Sequence, residues 1–239
     1  MIHCRRRALD RIKSDQAEHA GLWLNKYLKE QLVKGERPPA DQRTPQQQLV
    51  GECASIKVPD SYQLFYQRWT ALLADGHQRD NYEARPAATL GRLAIGLGDE
   101  SVIETSIKLH HTYGVPYLPG SALKGVAAHF ARNYLGQAWT KEGEPYKILF
   151  GDPTSAGFIT FLDALYIPDS GGPLAPDVIT VHHPDYYQKE DAAPADWDNP
   201  TPISFLSATG SYLVALAGPQ PWRRAAFEIL GLALLELGL

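Results

Sequence analysis

Two cysteines, Cys4 and Cys53, stand in a chain of 239 residues. They share no metal-type spacing and are too few to staple a chain this long, which excludes a disulfide framework and leaves two reduced thiols as the expectation. No window approaches the roughly 18 consecutive apolar residues of a membrane span. The basic start, MIHCRRRALDRIKSD, has no apolar core behind it, so a secretory signal is not expected and the cytoplasm is the expected location. Also missing are a Walker lysine loop, zinc-type Cys/His spacing and a Gly-x-Ser-x-Gly elbow, the frames that hold a nucleotide phosphate, a zinc ion or a strained serine nucleophile.

What could supply chemistry instead is sparse. His110-His111 and His182-His183, with Asp185 beside the second pair, are the conspicuous ligand types. Neighbouring residues on a strand point to opposite faces, so each pair offers at most one ligand to a common site, and neither a metal nor a cofactor is expected. Asp152 and Asp163 flank a strand-like run, where a Mg²⁺ ligand is conceivable, but one carboxylate beside FGDPTS reads first as a turn-former. The expectation is a protein without catalytic residues.

Positive charge is also in short supply, with 23 Lys and Arg against 27 Asp and Glu. A net charge of −4 argues against a generic coat for nucleic acid, which would be basic. The distribution is uneven, however: ten cations against six anions in residues 1–50, eight against eight in 51–140, and five against thirteen in 141–239. A polyanion would lie along the first half, with the acidic part turned elsewhere, toward a protein partner for instance. Chance clustering on solvated faces gives the same counts.

The chain is long enough for one elaborated domain or two small ones, and it shows no repeat of fixed period. Residues 9–34 pattern as a helix with Leu22, Trp23, Tyr27, Leu28 and Leu32 on a stripe, followed by a polar linker, KGERPPADQRTPQQQ. Residues 59–74 pattern as a second helix, whose Tyr62, Phe65, Tyr66, Trp69 and Leu73 read as a packing face. Beyond residue 87 the period changes. ATLGRLAIGLG reads as a Gly-punctuated strand, and Ile103, Thr105, Ile107 and Leu109 alternate as in a half-buried one. Strand-like runs recur at GFITFLDALYI, DVITV, PISFLSA and SYLVALAG. The final segment, PWRRAAFEILGLALLELGL, reads as a helix opened by Pro221 that turns Ile229, Leu230, Ala233 and Leu237 inward. Residues 168–202, rich in Pro, Gly and Asp, form a long irregular excursion. This order predicts an α+β fold, helices on one face of a mostly antiparallel sheet, of ferredoxin-like or RNA-recognition type. The division expected is a helical extension at 1–86 and the α+β domain at 87–239.

One helix carries the most information. In YLPGSALKGVAAHFARNYLG, residues 117–136, Pro119 and Gly120 supply a bend and Ser121 is expected as the N-cap. Leu123, Val126, Ala127, Phe130, Ala131 and Tyr134 make one apolar face, Lys124, Ala128 and Arg132 line another, and Gly136 fits the C-terminal stop. With that cap Lys124 is the third helical residue, at the positive end of the helix dipole, where a cation is mildly disfavoured. Either it reaches into solvent or an anion stands in front of it. In the second case free N–H groups, the Ser121 hydroxyl and Lys124 form a phosphate cradle, with Arg132 two turns on and His129 a weaker contributor.

These residues resemble the signature of the RAMP superfamily of CRISPR effector subunits, in which a Pro-Gly-Ser-x-x-Lys-Gly segment opens the first helix of an RNA-recognition-type fold. Pro119, Gly120, Ser121, Lys124 and Gly125 match it. GLGDESVIETSIKLHHTYGVPYLPGSALKG, ILFGDPTSAGFITFLDALY, DVITVHHPDYY and PISFLSATGSYLVALAG are similar, in order, to the branch formed by the sixth subunit of the type III-B effector, the Cmr complex. The match spans about residues 88–239. The resemblance implies a non-catalytic RNA-binding subunit near the 3′ end of the CRISPR RNA. Its implied partners are that RNA, the first Cmr subunit and the backbone subunits that cut target RNA, with target RNA met only indirectly and no membrane involved. It implies RNA contacts at Gly120, Ser121, Lys124 and Gly125, to which the reading of the helix adds Arg132 and His129. Two alternatives remain open: a metal-independent endoribonuclease that processes CRISPR RNA, and a purely structural cap. The family pattern continues with a glycine-rich loop and a last strand, whereas this sequence stops at LLELGL. Either the sequence is shortened or the sheet is completed in another way.

Overall fold

The apolar run SYLVALA becomes the middle of a sheet. A computed structural model describes residues 12–30, 42–75, 81–183, 186, 193–196 and 200–239. The chain visits two compact units, each assembled from three separate stretches.

One unit comprises Pro59–Leu93, Pro116–Gly171 and Gly210–Leu239. Its helices are α3 (Asp60–Ala74), α4 (Gly120–Tyr134), α5 (Glu144–Phe150) and α6 (Gln220–Glu236), and its strands are β1 (Tyr82–Ala88), β2 (Tyr117–Leu118), β3 (Thr160–Phe161), β4 (Ala164–Tyr166) and β7 (Ser211–Ala217). β7 pairs antiparallel with β1 on one side and with β3 and β4 on the other, and β4 carries β2 at the far edge. In chain order β1, α4, β3 with β4, β7 and α6 make a βαββα arrangement, so the expected α+β class holds. α4 and α6 pack together. Leu123, Ala127 and Phe130 of one and Ala226, Phe227, Leu230 and Ala233 of the other are buried. Burial of the large side chains among these contributes about 1.5–3 kcal/mol each. The Tyr62 hydroxyl of α3 donates to the Tyr166 carbonyl at 2.6 Å, and Tyr166 meets Tyr212 edge-on at 6.0 Å. Buried Arg223 donates to the Gly218 carbonyl at 2.8 Å.

The other unit comprises Met1–Val58, Ala94–Val115 and Gly172–Thr209. It holds α1 (Ala20–Lys26), α2 (Pro45–Ala54) and a hairpin of β5 (Leu174–Val181) and β6 (Thr201–Ala208). α2 packs on both strands of the hairpin and buries Leu49, Val50 and Cys53. Trp23 stacks on Tyr27, 3.9 Å between ring centroids, and its indole N–H donates to Glu52 at 2.9 Å.

Several expectations shift. The helix expected over 9–34 is confined, among the described residues, to α1, after a 3-10 turn at Ser14–Gln16; Leu22 is exposed, and Leu32 lies outside the described residues. α2 begins inside the expected linker, because Thr44 caps it and Pro45 opens it. The first strand runs over Tyr82–Ala88, ahead of ATLGRLAIGLG. Ile103 and Ile107 are buried as their alternation predicts, but residues 101–108 pair with no strand. The excursion at 168–202 is not irregular throughout, since β5 occupies Leu174–Val181. In α6, Ile229, Leu230 and Ala233 are buried while Leu237 is 40% exposed. No helix among the described residues is long and apolar enough to cross a membrane.

Candidate nucleic-acid interface

α4 spans Gly120–Tyr134 because Leu123, Ala127, Phe130 and Ala131 recur at helical spacing and bury one face. Leu135 ends it, followed by Gly136 at φ 85°, the left-handed position that glycine fills without strain. Tyr134, expected on the apolar face, is 60% exposed.

The helix start differs from the expected one. Pro119, not Ser121, occupies the N-cap position, and no side chain of the cap residue closes the turn. Asp163, from the break between β3 and β4, does so from a distance in sequence: its carboxylate accepts from the Gly120 N–H at 2.7 Å. The Pro119 carbonyl accepts from the N–H groups of Ala122 and Leu123 at 2.9 and 3.1 Å. Gly120 is buried against the sheet, and a Cβ there would fall 2.1 Å from the Phe161 carbonyl oxygen. Any residue but glycine would force the helix off this strand. The cradle of several free N–H groups therefore does not exist. Lys124 moves from the third helical position to the fifth, in the second turn, where the dipole acts on it less.

Of the six residues expected to touch RNA, Gly120 is committed to packing. Ser121 is exposed, and Lys124 is half-buried with no ion pair among the described residues. Both line a cleft of about 240 Å³ whose other wall is Ala156, Gly157, Ile159, Thr160 and Phe161. Gly125 is exposed, with nothing within 4 Å of where a Cβ would stand. Glycine at such a helical position costs about 0.5–1 kcal/mol relative to alanine. His129 joins both its ring nitrogens to neighbours, Asn133 at 2.9 Å and Arg132 at 3.4 Å. The structure thus brings together Ser121, Lys124, Gly125, His129 and Arg132 on the side of α4 away from its core, an arrangement able to hold phosphates by charge and hydroxyl.

His110 and Asp152 are engaged locally. His110 accepts the Thr112 N–H at Nδ1 at 3.3 Å, and the His111 carbonyl bonds the His19 ring at 2.9 Å. Asp185 lies outside the described residues, among which no group of three or more His, Cys, Asp or Glu could hold a metal. Asp152 is a turn-former: its carboxylate accepts the Thr154 hydroxyl and N–H at 2.7 Å and the Ser155 N–H at 2.8 Å. The bonds from Thr154 chiefly hold it below the usual carboxylate range.

The family model described as the RAMP superfamily matches residues 87–225. The chain is also 30% identical to the CRISPR system Cmr subunit Cmr6 of Pyrococcus furiosus, over 77% of its own length and 72% of that protein's. The chain belongs to the RAMP superfamily. Among solved structures, the type III-B Cmr-beta complex bound to cognate target RNA contains a chain of like fold, with a TM-score of 0.60 at 16% identity. The likeness covers 80% of this RAMP chain and 65% of that one, and at this identity it concerns the fold alone.

Within the RAMP signature, sequence spacing finds Lys124 and Gly125; Asp163 is singled out only as a conceivable metal ligand, and its part in completing the helix start is missed. No local pattern reports a cap that is 43 residues away. The cleft wall at 156–161 is missed for the same reason.

Proposed function

We propose that this chain is a subunit of a type III-B CRISPR RNA-guided effector complex and serves there as a non-catalytic RNA-binding part. It holds the CRISPR RNA backbone near its 3′ end, beside the first subunit and the backbone subunits, and caps the complex in antiviral defence. The observation that carries the reading is Lys124: half-buried, free of any ion pair among the described residues, on the wall of a cleft, with exposed Gly125 next to it and Arg132 two turns along. RAMP membership and the likeness to Cmr6 support the complex, and engagement of the His110 and His129 rings in local bonds supports a non-catalytic role. Contacts of this kind grip a backbone without reading its sequence.

Asp163 favours a second reading. A carboxylate at the helix start repels phosphate, as suits a protein cap that never touches RNA. Lys124→Ala with Arg132→Ala, tested in the assembled complex, separates the two. An RNA-gripping subunit loses RNA retention with assembly intact, and the slope of log affinity against log salt falls by about 1.4, roughly 0.7 for each single-strand phosphate no longer neutralised. Unchanged retention in a normally assembled complex leaves the structural cap.

A further inference from the structure

The positive end of α4 is already filled by an anion of the protein itself. The Asp163 carboxylate accepts from the Gly120 N–H at 2.7 Å, and the Pro119 carbonyl accepts from the N–H groups of Ala122 and Leu123. The start of α4 also cannot retreat to admit a ligand, because Gly120 lies against the backbone of Phe161 and Leu162 so closely that even a Cβ would overlap. The cations are displaced from that end: Lys124 begins the second turn, and Arg132 stands eight residues, about 12 Å, further along the axis.

We propose that Asp163 is a positioning residue for RNA. By occupying the helix start it keeps phosphodiesters away from that end and sets their register on Lys124 and Arg132, along the exposed side of α4. The inference rests on the RNA-gripping reading and adds to it a reason for the register. A phosphate at the helix start would meet the Asp163 carboxylate across a few ångströms, and two like charges there repel. The same phosphate beside Lys124 meets a cation with no protein anion bonded to it among the described residues. A helix terminus usually attracts phosphate; here its own carboxylate moves the attraction one turn on.

The test uses the full chain and a single-stranded oligouridylate containing 4-thiouridine, with crosslinks mapped by peptide and affinity followed across salt. Asp163→Asn keeps an acceptor for Gly120 and removes only the charge. It is expected to extend crosslinks into residues 119–122 and to steepen the salt slope by about 0.7, one additional phosphate. Asp163→Glu restores the charge and is expected to return the original register. Asp169→Asn makes the same charge change elsewhere in this unit, and it is expected to leave register and slope alone. Melting temperatures confirm that each variant is folded. If Asp163→Asn and Asp169→Asn give the same crosslinks and slope, Asp163 is only a helix cap and the inference is overturned. Loss of RNA in Lys124→Ala with Arg132→Ala, alongside that result, would leave the RNA-gripping reading standing alone. Unchanged RNA binding in the double variant overturns both.

Discussion

Two glycines five residues apart in one motif have opposite tasks, and substitution by alanine separates them. At Gly120 the added Cβ meets the Phe161 carbonyl at 2.1 Å, an immovable backbone atom, so Gly120→Ala is expected to cost about 3 kcal/mol or more. At roughly 2–4 °C for each kcal/mol in a chain of this size, thermal unfolding should fall by about 6–12 °C. Gly125→Ala meets nothing and gains the helix propensity of alanine, so it should raise stability by about 0.5–1 kcal/mol while RNA retention in the complex falls. A rise in both quantities would remove the need for bare backbone at Gly125. The sequence presents the two glycines as equals, since spacing says nothing of what stands opposite a residue. Ser121 teaches the same lesson: its type and place predict a cap, yet the bond goes to Asp163, which only the tertiary fold brings near.

At the scale of elements, caps decide which helices exist, and both helices of the N-terminal stretch depend on one. Thr44 accepts the Gln47 N–H at 3.1 Å while Gln47 reaches back to the Thr44 N–H at 2.9 Å. That reciprocal pair, with Pro45 at the first helical position, is present in the sequence as Thr-Pro-Gln-Gln. Its Pro and Gln content makes it read as linker. His19 caps α1 by accepting the Leu22 N–H at Nδ1 at 3.0 Å, which places the ring proton on Nε2, donated to the His111 carbonyl at 2.9 Å. Histidine is not among the favoured cap residues, so no sequence rule would have found it. Thr44→Ala should cost about 1 kcal/mol and His19→Ala more, because the second also releases the loop at 110–115. Urea midpoints of the two variants against the parent chain test the order, and equal losses would show that the His111 bond adds nothing. The strands were legible where apolar runs had partners. Residues 103–108 alternate just as well and form no strand, although Ser106 and Lys108 donate backbone bonds to the Leu97 and Ile95 carbonyls, since alternation records burial and does not by itself complete a ladder.

At the scale of the whole molecule, the α+β class and the order of α4, β3 with β4, β7 and α6 followed from periodicity, whereas the place of β1 and the two interleaved units did not. Composition does not reveal that Ala94–Val115 and Gly172–Thr209 gather with the N-terminal stretch. Both units, however, bury groups that must stay protonated, and this gives them a shared response to alkali. Burial, with Glu52 adding to it, pushes the Cys53 thiol up to about 12, and burial likewise pushes Tyr62 and Tyr212 well above the usual phenol range. In the unfolded chain the thiol ionises near pH 8.5 and the phenols near 10. Below about pH 8.5 both states hold all these protons, and stability is independent of them. Above it the unfolded state loses protons that the folded state keeps, so stability falls as pH rises, by up to about 1.4 kcal/mol per pH unit for each group. Between about pH 8.5 and 10 only Cys53 contributes, a loss of about 2 kcal/mol, and above 10 the two tyrosines steepen the fall. Urea midpoints across this range should therefore drop in two stages, and Cys53→Ala should abolish the first stage while sparing the second. A Cys53 thiol that titrates near its ordinary value in the folded chain, with a flat profile to pH 10, would mean that α2 does not seal it against the hairpin.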